Sequence, residues 1–328
     1  MAATSEKDEW LRMKRYLIVP LFLIAIALTA AISRAQTTAS LAAHRSISSR
    51  VLLVVAHPDD ESEMAGTVYR ITKELAGVVD QAIISNGEGG FRYSSLAGQY
   101  YGLDLTSESV GRALLPRIRK KEARQAGRVL GIHHQWFLNQ RDEHFTLDAE
   151  EVLHKTWKTG LVEDWLVHRL GKGRYDLVFV LLPTEDTHGE HKAASILALE
   201  AVERLPENQR PSVLGAQASP KDTGSYKTLP GYTITGTSSS APQFHFDRDV
   251  QFGFRNTLSY QIIVDWVIAE HKSQGLFQTT FGQNRFENFW VFSGSNSAAV
   301  NKAAALFERI SAKPRSTEST EETVRVNQ

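Results

Sequence analysis

The chain has 328 residues, 42% of them hydrophobic, with 37 basic and 37 acidic side chains and no cysteine. That is enough chain to bury a full core, and its size suits one domain of about 250 residues with terminal extensions. Zero formal charge argues against a global attraction to nucleic acid or anionic lipid, and the missing cysteines exclude disulfides, thiolate nucleophiles and cysteine-ligated zinc, so any metal site must use His, Asp and Glu.

Residues 1–35 are predicted to be an export signal or a membrane anchor. Residues 16–32 are apolar apart from Thr29, Lys14 and Arg15 precede them, and Ser33-Arg34-Ala35 places small residues ahead of Gln36. At about 17 residues the run is at the lower limit for a spanning helix. The basic pair would hold the amino end in the cytoplasm, so the folded part is expected outside it, periplasmic, extracellular or tethered to the membrane. Residues 36–49 read as a polar linker, 50–310 as the folded domain.

Residues 50–56 form an apolar, β-branched run that reads as a buried parallel strand, and they lead directly into His57-Pro58-Asp59-Asp60-Glu61. One imidazole and three carboxylates therefore stand at the carboxyl end of a first strand, the edge at which open α/β sheets bind ligands. A solvated helix cap would also use acidic residues there. Residues 63–75 show helical spacing and 78–85 a second strand. The turn after it, Asn86-Gly87-Glu88-Gly89-Gly90, lacks the spacing of a dinucleotide fingerprint and reads as a plain loop. Residues 91–104, with Tyr93, Tyr100 and Tyr101 among glycines, read as a further loop, lying over a sugar face or packed on the fold. A charged helix is expected over 117–130, with Arg119 and Glu122 as a surface ion pair. Residues 133–138 suit a strand, with His133 and His134 ahead of its core and structural or exposed. Residues 149–170 suit one long amphipathic helix with Val152, Trp157, Leu161, Trp165, Leu166 and Leu170 inward.

A second buried strand, 175–182, runs into Pro183-Thr184-Glu185-Asp186-Thr187-His188-Gly189-Glu190-His191 and a helix over 192–204. His188 and His191 are three apart at a helix entry, so both can face one point. Catalytic zinc takes three protein ligands and keeps a place for water. His57, one of Asp59 or Asp60, and one of His188 or His191 make such a set. The carboxylate left over can act as a general base, and the imidazole left over can stabilise an oxyanion or protonate a leaving amine. That combination points to hydrolysis of an acyl C–N or C–O bond. Residues 220–249, rich in Gly, Thr and Ser, read as a small β or loop insertion beside the mouth and a source of selectivity. A helix over 258–269 leads into His271-Lys272-Ser273-Gln274, with the imidazole structural or lining the pocket. A last strand is expected over 285–292, a closing helix over 298–310 and a disordered tail over 311–328.

The pairing of His57-Pro58-Asp59-Asp60-Glu61 with His188-x-x-His191 resembles the PIG-L or LmbE-like zinc-dependent N-acetylglucosaminyl deacetylases. Ser85-Asn86-Gly87, Arg119-x-x-Glu122 before Leu130-Gly131, and His271-Lys272-Ser273-Gln274 extend the resemblance from about residue 50 to 292. It implies an α/β, Rossmann-like fold, a mostly parallel sheet with helices on both faces. By position it further implies that His57, Asp60 and His191 ligate Zn2+ or another divalent ion, that Asp59 is the general base, and that His188 stabilises the tetrahedral intermediate. Arg119, Asp142 and His271 would contact substrate. The implied reaction removes an N-acyl group, acetyl first, from an amino sugar or glycoconjugate; no nucleic acid is involved, and membrane contact is confined to the N-terminal segment. Glu190 stands where that family commonly has Asp, and Gly189 where it has Pro. The alternative of another class is a non-catalytic carbohydrate-binding protein of the same fold with a structural metal, which would have no use for a spare base.

Overall fold

Val51 and Leu53 of the opening strand face one helical layer, while Leu52 and Val54 face the other. A strand buried on both sides has no polar face to show, which is why the sequence there is continuously apolar. The computed structural model describes residues 49–274 and 284–312. The segment 1–35 expected to be an export signal or anchor, the linker expected over 36–49 as far as residue 48, and the tail from 313 lie outside the described residues. Among those described, no helix is long and apolar enough to cross a membrane.

Among the described residues the main sheet has seven strands: β1 (Arg50–Val55), β2 (Val78–Ser85), β3 (His134–Gln140), β4 (Leu177–Leu181), β5 (Ser212–Ser219), β6 (Phe244–Asp247) and β9 (Phe286–Val291). Their order is β3-β2-β1-β4-β5-β9-β6, with β7 (Gln251–Phe252) and β8 (Leu258–Ser259) forming a separate ribbon. Strands β1 to β5 are parallel, and β9 and β6 continue the sheet in antiparallel fashion. Helices α1 (Ala65–Tyr69), α3 (Glu108–Leu130), α7 (Gln261–Glu270) and α8 (Ser297–Ser311) pack on the Val51 face; α4 (Ala149–Glu151), α5 (Thr159–Gly173) and α6 (Gly189–Glu203) pack on the other. The expected mostly parallel α/β sheet with helices on both faces is therefore what the chain forms. The chain leaves β1 toward β2 and β3 and leaves β4 toward β5, so the switch point lies between β1 and β4. A crevice opens at the carboxyl ends of those two strands.

Local departures from expectation have identifiable causes. Helix α3 starts at Glu108, ahead of the helix expected over 117–130, and runs through Pro116. Pro116 sits on a half-exposed face, where water can meet the carbonyl that its ring leaves without an N–H partner. The loop expected over 91–104 is largely helical, with a 3-10 turn over Glu88–Tyr93 and α2 over Ser95–Tyr101. The single helix expected over 149–170 breaks where Trp157 turns extended, buries its ring and donates its indole N–H to the Arg141 carbonyl. Leu161, expected inward, is exposed as a result. Strand β5 gave no signal, because Ser, Gly, Ala and Gln fill it; its burial between β4 and β9 comes from pairing.

Candidate active site

The turn after β1 and the start of α6 meet. Asp60 Oδ2 accepts the backbone N–H groups of Ala56 at 2.9 Å and His57 at 2.8 Å, which fixes the carboxylate and leaves Oδ1 free to face two imidazoles. His191 Nε2 lies 3.3 Å from that oxygen and His57 Nδ1 3.6 Å, while the two ring nitrogens are 3.0 Å from each other. Ligand bonds of about 2.0–2.2 Å in a tetrahedral array place donors roughly 3.3–3.6 Å apart; both nitrogen-to-carboxylate distances match that spacing, and the two ring nitrogens lie a little inside it. Each imidazole is also oriented from behind. Thr187 Oγ1 is 3.0 Å from His191 Nδ1, and Glu190 Oε2 makes an angled charge contact with His57 Nε2 at 3.0 Å. Such partners set the tautomer that turns a bare nitrogen toward an ion. The set of two nitrogens and one carboxylate oxygen fits zinc or a similar divalent ion. Burial alone would raise the Asp60 pKa, yet His191 and His57 hold it well below the usual carboxylate range. Burial works against charge on His57, and Asp60 and Glu190 outweigh it, lifting its pKa well above the ordinary value.

Asp59 stands beside the trio and lines the same cavity. Its Oδ1 is 2.9 Å from Arg119 Nη2, and Arg119 also donates to the carbonyls of Gly87 at 2.6 Å and Pro58 at 3.2 Å. Burial pushes the Asp59 carboxyl up, Arg119 restrains that rise, and Asp60 adds to it. Gly87 has φ +69, and a Cβ there would collide with the Arg119 guanidinium. The glycine turn thus lets backbone approach an arginine, a close contact the plain-loop reading did not anticipate. The surface pair expected between Arg119 and Glu122 does not form. Both are buried, and Glu122 instead accepts the Ser273 backbone N–H at 3.1 Å, its hydroxyl at 2.5 Å and the Tyr101 hydroxyl at 3.0 Å.

His188 caps α6, its Nδ1 accepting the backbone N–H of Glu190 at 3.2 Å. With Nδ1 engaged as acceptor, the ring proton belongs on Nε2. Burial, reinforced by His57 and His191, lowers the His188 pKa to about 3, so the ring stays a neutral N–H donor. Its centroid is 5.2 Å from that of His57 and 5.7 Å from that of His191, and Phe145 packs against it at 5.0 Å.

The cavity holds about 430 Å³, a volume suited to a small ligand. His57, Asp59, Asp60, His188 and His191 all line it, as do Arg119 and Asp142, so seven of the eight residues picked from sequence share one space. Asp142 is buried against Gly89, where a Cβ would strike its carboxylate. His271 is the exception and corrects the expectation of substrate contact. It is fully buried behind the turn after β1, its Nε2 2.6 Å from Glu61 Oε1, while Glu61 Oε2 accepts from Gln81. The segment 220–249, expected beside the mouth, supplies no lining residue, because its strand β6 closes the far edge of the sheet. The wall comes instead from Gln217 and Ala218 of β5, Tyr93 of the 3-10 turn, and Glu63. Tyr93 stood in the tyrosine-rich stretch that the sequence offered as a loop over a sugar face, and Glu63 stands two residues beyond the acidic turn, whereas Gln217 and Ala218 carried no signal.

Residues 52–202 match the family described as PIG-L: GlcNAc-PI de-N-acetylase. A probable N-acetyl-alpha-D-glucosaminyl L-malate deacetylase 2 from Bacillus cereus is 27% identical over 163 residues, 50% of this chain and 65% of that one. Its counterpart from Bacillus anthracis is 29% identical over 163 residues, 49% of this chain and 63% of that one. The match thus spans less than two thirds of the length of these relatives. Among solved structures, an N,N'-diacetylchitobiose deacetylase from Pyrococcus horikoshii aligns over 75% of this chain and 84% of its own, with 20% identity and a TM-score of 0.47. The segment that matches the family begins in β1, ends in α6, and carries His57, Asp59, Asp60, His188 and His191. Over residues 52–202 the chain is thus similar to the PIG-L, or LmbE-like, family.

Proposed function

We propose that this protein is a hydrolase that removes an N-acyl group, acetyl first, from an amino sugar or glycoconjugate. The observation that carries the reading is the convergence of a buried base, a neutral imidazole donor and a three-donor metal cradle on one cavity. A divalent ion held by His57, Asp60 and His191, zinc in the first instance, would supply Lewis acidity and bring the pKa of water down toward about 7.

The side chains divide the remaining work. Asp59, held in place by Arg119, takes the proton of the attacking water and returns it to the departing amine. His188 donates from Nε2 to the oxygen on which negative charge grows, and because it is neutral it does so without first losing a proton of its own. Tyr93 and Phe145 offer partly exposed aromatic faces at the cavity, surfaces on which a sugar ring can lie. The acetylated glucosaminyl group in the names of the Bacillus relatives supports acetyl as the acyl group.

The test is a panel of N-acyl amino sugars and simple amides incubated with purified, zinc-loaded protein, with the released acid quantified. Acetate from N-acetylglucosaminides supports the reading. Sugar binding without any acid released would favour the carbohydrate-binding alternative.

A further inference from the structure

We propose a second metal site at the opposite edge of the sheet, formed by Asp80, His133 and His134. This inference stands apart from the deacetylase reading. His133 Nδ1 is 3.1 Å and His134 Nδ1 3.4 Å from the same oxygen, Asp80 Oδ1, and one donor atom from each of the three residues lies within 4.8 Å of the others. The other oxygen is already engaged, accepting the Tyr175 hydroxyl at 2.7 Å with Arg50 Nη2 at 3.5 Å.

The arrangement repeats the logic of the central cradle. There, Asp60 Oδ2 is fixed by two backbone amides while Oδ1 is turned toward two imidazoles; here Asp80 Oδ2 is fixed by a phenol and a guanidinium while Oδ1 is turned toward two imidazoles. Asp80 is 1% exposed, whereas the side chains of His133 and His134 are 57% and 56% exposed, so an ion could enter from solvent onto an anchored carboxylate. Consecutive residues in a strand point to opposite faces. His133 precedes β3, and this lets both rings turn the same way, their centroids 3.9 Å apart and nearly perpendicular. Trp136 stacks on His134 at 5.5 Å and narrows its freedom.

Two imidazoles and one carboxylate select first-row divalent ions over calcium or magnesium. Asp80 and His134 are register partners across β2 and β3, and β3 is the edge of the sheet. An ion there would clip the edge strand to its neighbour. The Arg50 charge lies on the far oxygen and weakens the site relative to the central one.

The full-length protein, saturated with Zn2+ alone and dialysed, is compared with the His133→Ala/His134→Ala double variant by counting zinc per chain. Both substitutions lie on exposed rings, so folding is not at stake. The expected result is one zinc fewer per chain in the variant, with hydrolytic activity unchanged. The same loss is expected in a His57→Ala/His191→Ala background, which separates the two sites. Equal zinc counts in the native protein and the double variant would overturn the proposal.

Discussion

Arg119 Nη2 lies 2.9 Å from Asp59 Oδ1, and the same guanidinium grips the carbonyls of Gly87 and Pro58. One buried cation from α3 therefore positions the carboxylate next to the metal cradle and ties the turns after β1 and β2 together. In the proposed role as base Asp59 must be ionised, so activity is expected to fall as pH drops through its pKa. Burial raises that pKa and Arg119 opposes the rise. Arg119→Leu is therefore expected to move the acid limb of kcat/KM to higher pH, by about one to two pH units. Arg119→Lys keeps the charge but loses the fork, and its limb should fall between. A pH profile of the two variants checks this; an unmoved limb in Arg119→Leu would remove Arg119 from its positioning role.

His188 is expected to act through its neutral Nε2–H. Loss of one oxyanion donor costs roughly 10²–10³ in kcat, so His188→Ala should fall by that order, while His188→Gln, which retains an N–H, should recover part of it. The stability consequence has a definite sign. The folded-state pKa of His188, about 3, lies below its ordinary value of 6.5, so the unfolded chain binds more protons between those limits. Acidification through about pH 6.5 to 3 therefore costs the folded state stability. Metal-free His188→Gln should lose less Tm over that window than the metal-free native protein, as thermal melts across pH would record.

Glu190 supports His57 at 3.0 Å. Removing such an outer carboxylate typically weakens metal binding about 10–100-fold. Glu190→Gln should accordingly give up zinc to a chelator at a lower chelator concentration, with the fold intact by circular dichroism. Retention equal to the native protein would make Glu190 a structural residue only.

Much of this site was legible because its parts are local. A buried strand followed by an acidic turn, and a second followed by two histidines three apart, are patterns within a dozen residues each, and the parallel sheet brings such strand ends to one edge. What sequence could not show were pairings set at long range. Arg119 and Glu122 look like partners on one helix turn, yet their real partners are Asp59 and Ser273, 60 and 151 residues away. His271 looked like a pocket residue until its carboxylate partner, Glu61, proved to be 210 positions upstream. Strand β5 was invisible for a related reason, since a strand of small residues declares itself only through the neighbours that bury it.

The cavity also carries a charge preference. Glu63, Asp142 and Asp186 line it, and its only guanidinium among the described residues, that of Arg119, is already engaged by Asp59 and two carbonyls. A substrate bearing a carboxylate or phosphate beside the sugar finds no unengaged cation there. Neutral N-acetylglucosaminides are therefore expected to show a higher kcat/KM than their malate or phosphate conjugates, with the gap narrowing as salt is added. Equal or reversed preference at low salt would count against this view of the cavity.

One paired measurement separates the proposed role of Asp59 as base from that of His57, Asp60 and His191 as the metal cradle. Zinc content and acetate release are determined on the same preparations of the native protein, Asp59→Asn and His191→Ala. Asp59→Asn is expected to keep its zinc while turnover falls by roughly 10²–10⁴, the usual contribution of a positioned base. His191→Ala is expected to lose zinc and activity together. Full turnover in Asp59→Asn, or stoichiometric zinc in His191→Ala, would contradict the account.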